Sequence, residues 1–345
     1  MSKKIRILSI DGGGIRGIIP AVILNYIEDQ IRVREGNDKR LAEYFDMIAG
    51  TSTGGILACA YLTPGNDLKP KYSASDALSF YLKRGHQIFN VDFWQEIRSA
   101  GSLADEKYPA KELEQALKDY FGDLRLSEFL KPSLITAYDI RNRNAKFFNK
   151  IDAVNDIRDF YVRDIARATS AAPTYFEVSD IHSIYGAPYY LIDGGVFANN
   201  PAMCAYAEAR TTDFAHALGD DQKSSYPFAK DMIMVSIGTG SHPDPYYFDK
   251  AKNWGALGWL LPLIDILMSG NSETVHYQLK QLFDTLGEPE KNNYIRLEPT
   301  VGDAKHAMDI ATPENMSALV EAGKHFVDNN MEKLDEIVEK LIVNK

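Results

Sequence analysis

The chain of 345 residues is long enough for one large domain or two ordinary ones, and with 45% hydrophobic and 25% charged residues it has the composition of a folded globular protein. A formal net charge of -10 argues against a nucleic-acid polymer as partner, because phosphate binding draws on clustered Lys and Arg, and against tight adsorption to an anionic membrane. Two cysteines, Cys59 and Cys204, imply no disulfide framework and fit a reducing compartment.

Behind Lys3, Lys4 and Arg6 the apolar stretch ends at Asp11, too early for the core of a signal peptide, so the expected location is cytoplasmic. The run IRILSI (5–10) reads as a buried strand entering the glycine turn DGGGIRG. From Ile18 onward, apolar residues at 19, 22, 23, 24, 27 and 31 keep helical spacing, with Pro20 in the first turn where its missing N–H costs little. The unit then recurs: YFDMIAG (44–50) as strand, TSTGG as turn, ILACAYL as the start of a helix. SLITAYDI (133–140), AKFFNK (145–150), YYLIDGG (189–195) and MIMVSIGTG (232–240) are further strand candidates, with helical patterns between most of them. The implied class is α/β with a parallel sheet. Segments 64–75, 99–109 and 219–227 are polar and rich in Gly, Pro or Ser, as surface connections are. The apolar run WGALGWLLPLIDILM (254–268) carries Pro262 and Asp265 and falls short of the roughly 20 residues a spanning helix needs. It reads first as a buried core helix and, alternatively, as an interfacial or lid element. The tail from Thr312 shows apolar positions at helical spacing behind a Thr-Pro-Glu helix start.

Three short motifs carry chemistry. Gly50-Thr51-Ser52-Thr53-Gly54 fits the G-x-S-x-G nucleophile elbow, in which a sharp strand-to-helix turn lifts a serine hydroxyl above the sheet, with Gly50 and Gly54 giving clearance. Its plainer alternative is a glycine-containing turn. The run Asp11 to Gly17 satisfies a dinucleotide fingerprint in its letters, yet the following EDQIRVREGNDKR is charged and unlike the second strand that the fingerprint requires. The same glycines can instead turn backbone N–H groups of Gly12, Gly13 and Gly14 toward one point at a helix N-terminus, as an oxyanion hole does. Asp193-Gly194-Gly195 closes a strand, where open α/β sheets place ligand chemistry, although Asp-Gly-Gly is more often a turn. A Ser-acid-His triad would need one of His216, His242, His276, His306 or His325, and His242, after the strand MVSIGTG, is the best placed. Arg16 could meet a lipid phosphate or form an ordinary salt bridge, and no catalytic role is assigned to it.

Together DGGGIRG, GTSTG and the later DGG, in this order and spacing, resemble the patatin-like phospholipases, as do ARATSAAPTYF (166–176), DGGVFANNP (193–201) and VSIGTG (235–240). The resemblance runs from Ile5 to about Gly240 and is looser beyond. It implies a three-layer sandwich around a central, mostly parallel sheet, related to the cytosolic phospholipase A2 catalytic domain. One domain would span 1–345, with a catalytic core at about 5–240 and a helical part at about 250–345. It implies Ser52 as nucleophile, Asp193 as base, and Gly12, Gly13 and Gly14 as the source of oxyanion donors, with no metal or cofactor. The implied substrate is an acyl ester of a membrane lipid or glycerolipid, met through transient peripheral membrane contact. An aspartate of ordinary pKa is a poor base for a serine hydroxyl, so burial of Asp193 would improve the match. Three alternatives stand: a general α/β-hydrolase esterase with a triad, a nucleotide-sensing binding module using the glycine turn, and an antiviral phospholipase switched on by cyclic nucleotides, as in some bacterial relatives.

Overall fold

A strand covered on both faces is buried along its whole length and mostly apolar, and β1 (Ile5–Ile10) is buried at every position. A computed structural model describes residues 3–88, 110–241 and 245–345, without the side chains of 256, 257, 260 and 261. In it β1 is flanked in parallel by β2 (Met47–Thr51) and β7 (Met232–Ile237). Beyond β2 lies β3 (Ser133–Asp139), and beyond β7 lies β8 (Tyr294–Leu297), both again parallel. Three antiparallel pairings complete the sheet: β4 (Asn144–Phe148) on β3, β6 (Pro188–Asp193) on β3, and β5 (Ser179–His182) on β6. The mostly parallel sheet expected from the sequence is thus a parallel centre with an antiparallel wing, in the order β5-β6-β3-β2-β1-β7-β8.

Side-chain alternation along the strands makes the three layers. Leu8 and Ile10, Ile48, Ile135 and Ala137, Val235 and Ile237 face one apolar cluster. That cluster holds α1 (Ile18–Glu35), α2 (Thr53–Leu62), α3 (Ala74–Ile88), α4 (Ala110–Phe121) and α5 (Val162–Thr169). Their neighbours Ile5 and Ile7, Met47 and Ala49, Leu134, Met232 and Met234 face the other. There they meet α7 (Ala202–Thr211), α8 (Phe214–Leu218) and the C-terminal half of α10 (Ala256–Asp284); the short α6 (Gly195–Ala198) and α9 (Phe248–Ala251) lie on the connections.

One feature of the register positions the site. β4 occupies one edge of β3 from Ile135 to Asp139, so β2 and β6, which pair with the same stretch of β3, share the opposite edge. β2 ends with Thr51 beside Thr136, and β6, running the other way, ends with Asp193 beside Ala137. The two strands meet end to end, C-terminus to C-terminus, on consecutive residues of β3.

The opposite pole of the sheet is closed by charge. Arg6 binds Asp46 through two bonds of 2.7 and 2.9 Å, and Lys223 Nζ reaches the same carboxylate at 2.9 Å. Both cations also donate to the chain end: Arg6 to Leu341 O at 3.1 Å and Lys223 to Asn344 O at 2.7 Å. Lys131 donates to Phe45 O and Glu43 O nearby, and burial pulls its ammonium down to about 7.

Some expectations shift. The strand foreseen from 44 starts at Met47, because Leu41–Tyr44 forms a 3₁₀ turn held by Glu43 accepting from Arg40 N–H at 2.8 Å. The apolar tail divides at Asn330 into α11 (Pro313–Asn329) and α12 (Met331–Val343). The core reading of 254–268 is overturned: Trp259, Leu263, Ile266 and Leu267 on α10 are 40 to 51% exposed. The connection foreseen at 99–109 lies outside the described residues.

Candidate active site

Between the last residue of β2 and the first of α2 stands a single residue, Ser52, at φ 54 and ψ -124. Only glycine adopts that region without strain, so the surroundings must hold it. Ser52 N–H donates to Thr169 Oγ1 at 2.9 Å, Thr51 Oγ1 donates to Ala198 O at 2.6 Å, and Thr53 exchanges two bonds with the Tyr81 hydroxyl, at 2.6 and 2.9 Å. At Gly54 a side chain would run into the backbone of Ile10 and Asp11, so the elbow packs directly on the end of β1. Gly50 lies inside β2, one residue before Thr51.

Asp193 faces this elbow from the end of β6. The Ser52 hydroxyl stands beside its carboxylate, and Gly195 N–H donates to Oδ1 at 2.7 Å. Both neighbours favour the ionised form, but burial outweighs them and pushes the carboxyl up to about 7. Gly194 precedes the short α6 that Gly195 opens.

The glycine run passes against Ser52 from the other side: a Cβ on Gly12 would lie 3.2 Å from Ser52 Cβ. Gly12 itself is fully engaged, its N–H donating to Asn199 O at 3.1 Å and its carbonyl accepting from Thr239 Oγ1 at 2.8 Å. Of the three expected oxyanion glycines, Gly12 thus has its N–H committed within the fold. Gly13 and Gly14 follow, the latter at φ +59, and among the described residues their N–H groups have no acceptor. The next N–H, of Ile15, is taken by Met308 O at 2.8 Å. Two free donors are therefore framed by two anchored ones.

Ser52, Gly14, Asp193 and Gly195 lie in the wall of an apolar cavity of about 970 Å³, counted to its open mouth. Ile56, Phe80, Tyr81, Ile88 and Leu113 form one side, Pro173, Tyr175 and Phe176 another, and Ile264, Leu267 and Met268 of α10 the rim. Among the described residues no histidine lines it. His276 binds the Tyr294 hydroxyl at 3.1 Å beside β8, and His242 lies outside the described residues. Arg16 donates to Gly13 O at 3.4 Å and Gly240 O at 3.3 Å, tying the glycine run to the end of β7.

Several residues of this site had no role in the sequence reading. Thr169 and Asn199 sit inside stretches that already stood out, ARATSAAPTYF and DGGVFANNP, but a hydrogen bond to a distant loop leaves no local pattern. Arg296, which grips Asp11 through bonds of 2.7 and 3.0 Å, and Ser272, which donates to Asp11 at 3.4 Å, come from a part of the chain with no motif.

The elbow, the buried aspartate and the glycine loop at the ends of adjoining strands, over an apolar cavity, are the arrangement of an ester hydrolase. A family model described as patatin-like phospholipase matches residues 8–206. Patatin-like protein 2 of Arabidopsis thaliana is 36% identical over 341 residues, covering 92% of this chain and 82% of the relative. Patatin-like protein 2 of Oryza sativa is 35% identical over 356 residues, covering 96% and 86%, and Patatin-04/09 of Solanum tuberosum is 33% identical over 345 residues, with the same coverage. The solved structure of VipD from Legionella pneumophila aligns over 97% of this chain and 67% of its own at 11% identity, with a TM-score of 0.42. The chain belongs to the patatin-like phospholipase family and is a lipid acyl hydrolase, a carboxylic ester hydrolase.

Proposed function

We propose that the hydrolase works through a Ser52–Asp193 dyad. Ser52 Oγ attacks the ester carbonyl carbon while Asp193 takes the hydroxyl proton; the negative charge that develops on the carbonyl oxygen is met by the N–H groups of Gly13 and Gly14 and by the N-terminus of α2. Collapse expels the alcohol, which recovers the proton from Asp193, and leaves the acyl group on Ser52. Water then attacks the acyl-enzyme, gives its proton to Asp193, and Ser52 leaves as the free hydroxyl. The observation that carries this reading is the end-to-end meeting of β2 and β6, which sets the buried Asp193 carboxyl against the strained Ser52 in the wall of one cavity; burial pushes that carboxyl up to about 7. A base poised near neutrality both holds the ionised form at pH 7 to 8 and accepts a proton far better than an ordinary aspartate.

The cavity's apolar lining suits an acyl chain of a membrane lipid or glycerolipid. Its rim is continuous with exposed Trp259, Leu263 and Ile266, and the rings of Tyr246, Trp254 and Trp259 stack edge-on at 5.3 and 5.0 Å. Aromatic and aliphatic side chains around the entrance support peripheral membrane contact with that rim facing the lipid. The net charge of -10 favours a zwitterionic or neutral surface over an anionic one.

The decisive test combines a fluorophosphonate label with lipid mass spectrometry of phosphatidylcholine vesicles. The expected results are label on Ser52, loss of fatty-acid release by about four orders of magnitude in Ser52→Ala and Asp193→Asn, and an acid limb in kcat/KM near pH 7. Alanine at His242 leaves turnover intact if the dyad is right; collapse of that variant would establish a triad instead.

A further inference from the structure

α10 differs from the other helices around the sheet in having two occupations. Its N-terminal half supplies the exposed rim of the cavity, and its C-terminal half, through Val275, Leu279 and Phe283, packs in the core. Where the halves join, two polar side chains turn toward the site. Asn271 donates from Nδ2 to Phe197 O at 2.8 Å and accepts Asn200 N–H on Oδ1 at 3.2 Å, so it spans the loop that follows Asp193. Ser272 Oγ accepts from Asn199 Nδ2 at 3.2 Å and donates to Asp11 Oδ2 at 3.4 Å. Asp11 directly precedes Gly12, and Asn199 O receives the Gly12 N–H. Ser272 thus bridges the loop of the oxyanion donors and the loop of the base, at the point where they are already pinned together.

We propose that Asn271 and Ser272 are positioning residues, through which α10 sets the alignment of the Gly13 and Gly14 N–H groups with Ser52 and Asp193. Neither touches the reacting atoms. Displacement of α10 by its own contacts at a lipid surface would shift both loops together, so the helix that meets the interface also holds the catalytic geometry. Stabilisation of an oxyanion falls steeply with misplacement, and a shift of about 1 Å is enough to cost on the order of 100-fold in rate. This inference rests on the dyad reading above.

The experiment compares wild type, Asn271→Ala, Ser272→Ala and Ser272→Thr, first on p-nitrophenyl butyrate as a monomeric ester. The expected result is a fall in kcat of about 10- to 100-fold in each alanine variant with KM little changed, and substantial recovery in Ser272→Thr, which keeps the hydroxyl. Co-sedimentation with phosphatidylcholine vesicles should stay at the wild-type level, since the exposed rim is untouched. Unchanged kcat, a change in KM alone, or no recovery with threonine overturns the proposal. Circular dichroism identifies any variant that fails to fold; Asn271 and Ser272 hold separate contacts, so either alanine variant that folds decides the matter, and failure of both to fold overturns the positioning role in favour of a purely structural one. Fluorophosphonate labelling of Ser52 in wild type keeps the two readings apart: absence of label there refutes the dyad, whereas normal label with wild-type kcat in the variants refutes only the role of Asn271 and Ser272.

Discussion

Ser52 holds a backbone conformation that every side chain but glycine's resists, and the bonds from Thr169, Ala198 and Tyr81 around it keep it there. Such strain amounts to about 1 to 3 kcal/mol, of which a glycine returns up to about 1 kcal/mol through its freer unfolded chain. Ser52→Gly is therefore expected to be more stable than Ser52→Ala by about 1 kcal/mol in urea unfolding; equal midpoints would mean that the elbow is relaxed. Asp193 adds a second strain, electrostatic in kind. Its carboxyl sits near 7 in the fold against 3.8 for an unperturbed aspartate, so its contribution is present below about pH 4 and is lost as pH rises through 7. Once ionised it costs the fold on the order of 4 kcal/mol. Asp193→Asn should accordingly melt above wild type at pH 8 and lose most of that advantage at pH 5. At this scale the sequence was legible where chemistry needs consecutive residues, as in GTSTG, DGGG and DGG. It was silent on Gly12, whose N–H is spent on Asn199, because nothing in the run itself distinguishes the engaged glycine from its two free neighbours.

Strands and helices with strong periodicity were foreseen from the pattern, and short ones were not. β1, β3 and β7 announce themselves by mainly apolar, β-branched runs of six or seven residues, while β5 and β8 have only four residues each, too few for a period to emerge. The tail was visible as helical, but its division at Asn330 depends on a capping geometry rather than on apolar spacing. α10 shows why an apolar helix is a poor predictor of burial: the same kind of residue serves a core and a cavity rim, and only the packing separates the two. Its exposed side chains give a direct test. Glutamate at Trp259 and Leu263, which are 42 and 46% exposed, should weaken partition onto phosphatidylcholine vesicles several-fold and leave the melting temperature within about a degree. Unaltered co-sedimentation would place lipid contact elsewhere.

The molecule separates its two polar centres along the strands. The candidate active site gathers at the C-terminal ends, as open α/β sheets favour, and a buried ionic clasp of Arg6, Asp46 and Lys223 closes the N-terminal ends and holds the last turn of α12. Asp46 is the acceptor shared by two buried cations, so Asp46→Asn is expected to destabilise the fold by about 3 to 5 kcal/mol. kcat measured well below the melting temperature should be unchanged, because the clasp lies a full strand length from Ser52; a parallel loss of kcat would mean the two poles are coupled. None of this long-range pairing is readable in the sequence, since Arg6, Asp46 and Lys223 lie far apart in the chain and no local pattern marks them as partners. The end-to-end meeting of β2 and β6 carries a different implication. Thr51 and Asp193 are both indexed to neighbouring residues of β3, which works as a ruler for the proposed dyad. Segments threaded between those two marks can lengthen, shorten or change their chemistry without altering the spacing the ruler imposes, so what enters the cavity can be reshaped while the two strand ends stay put.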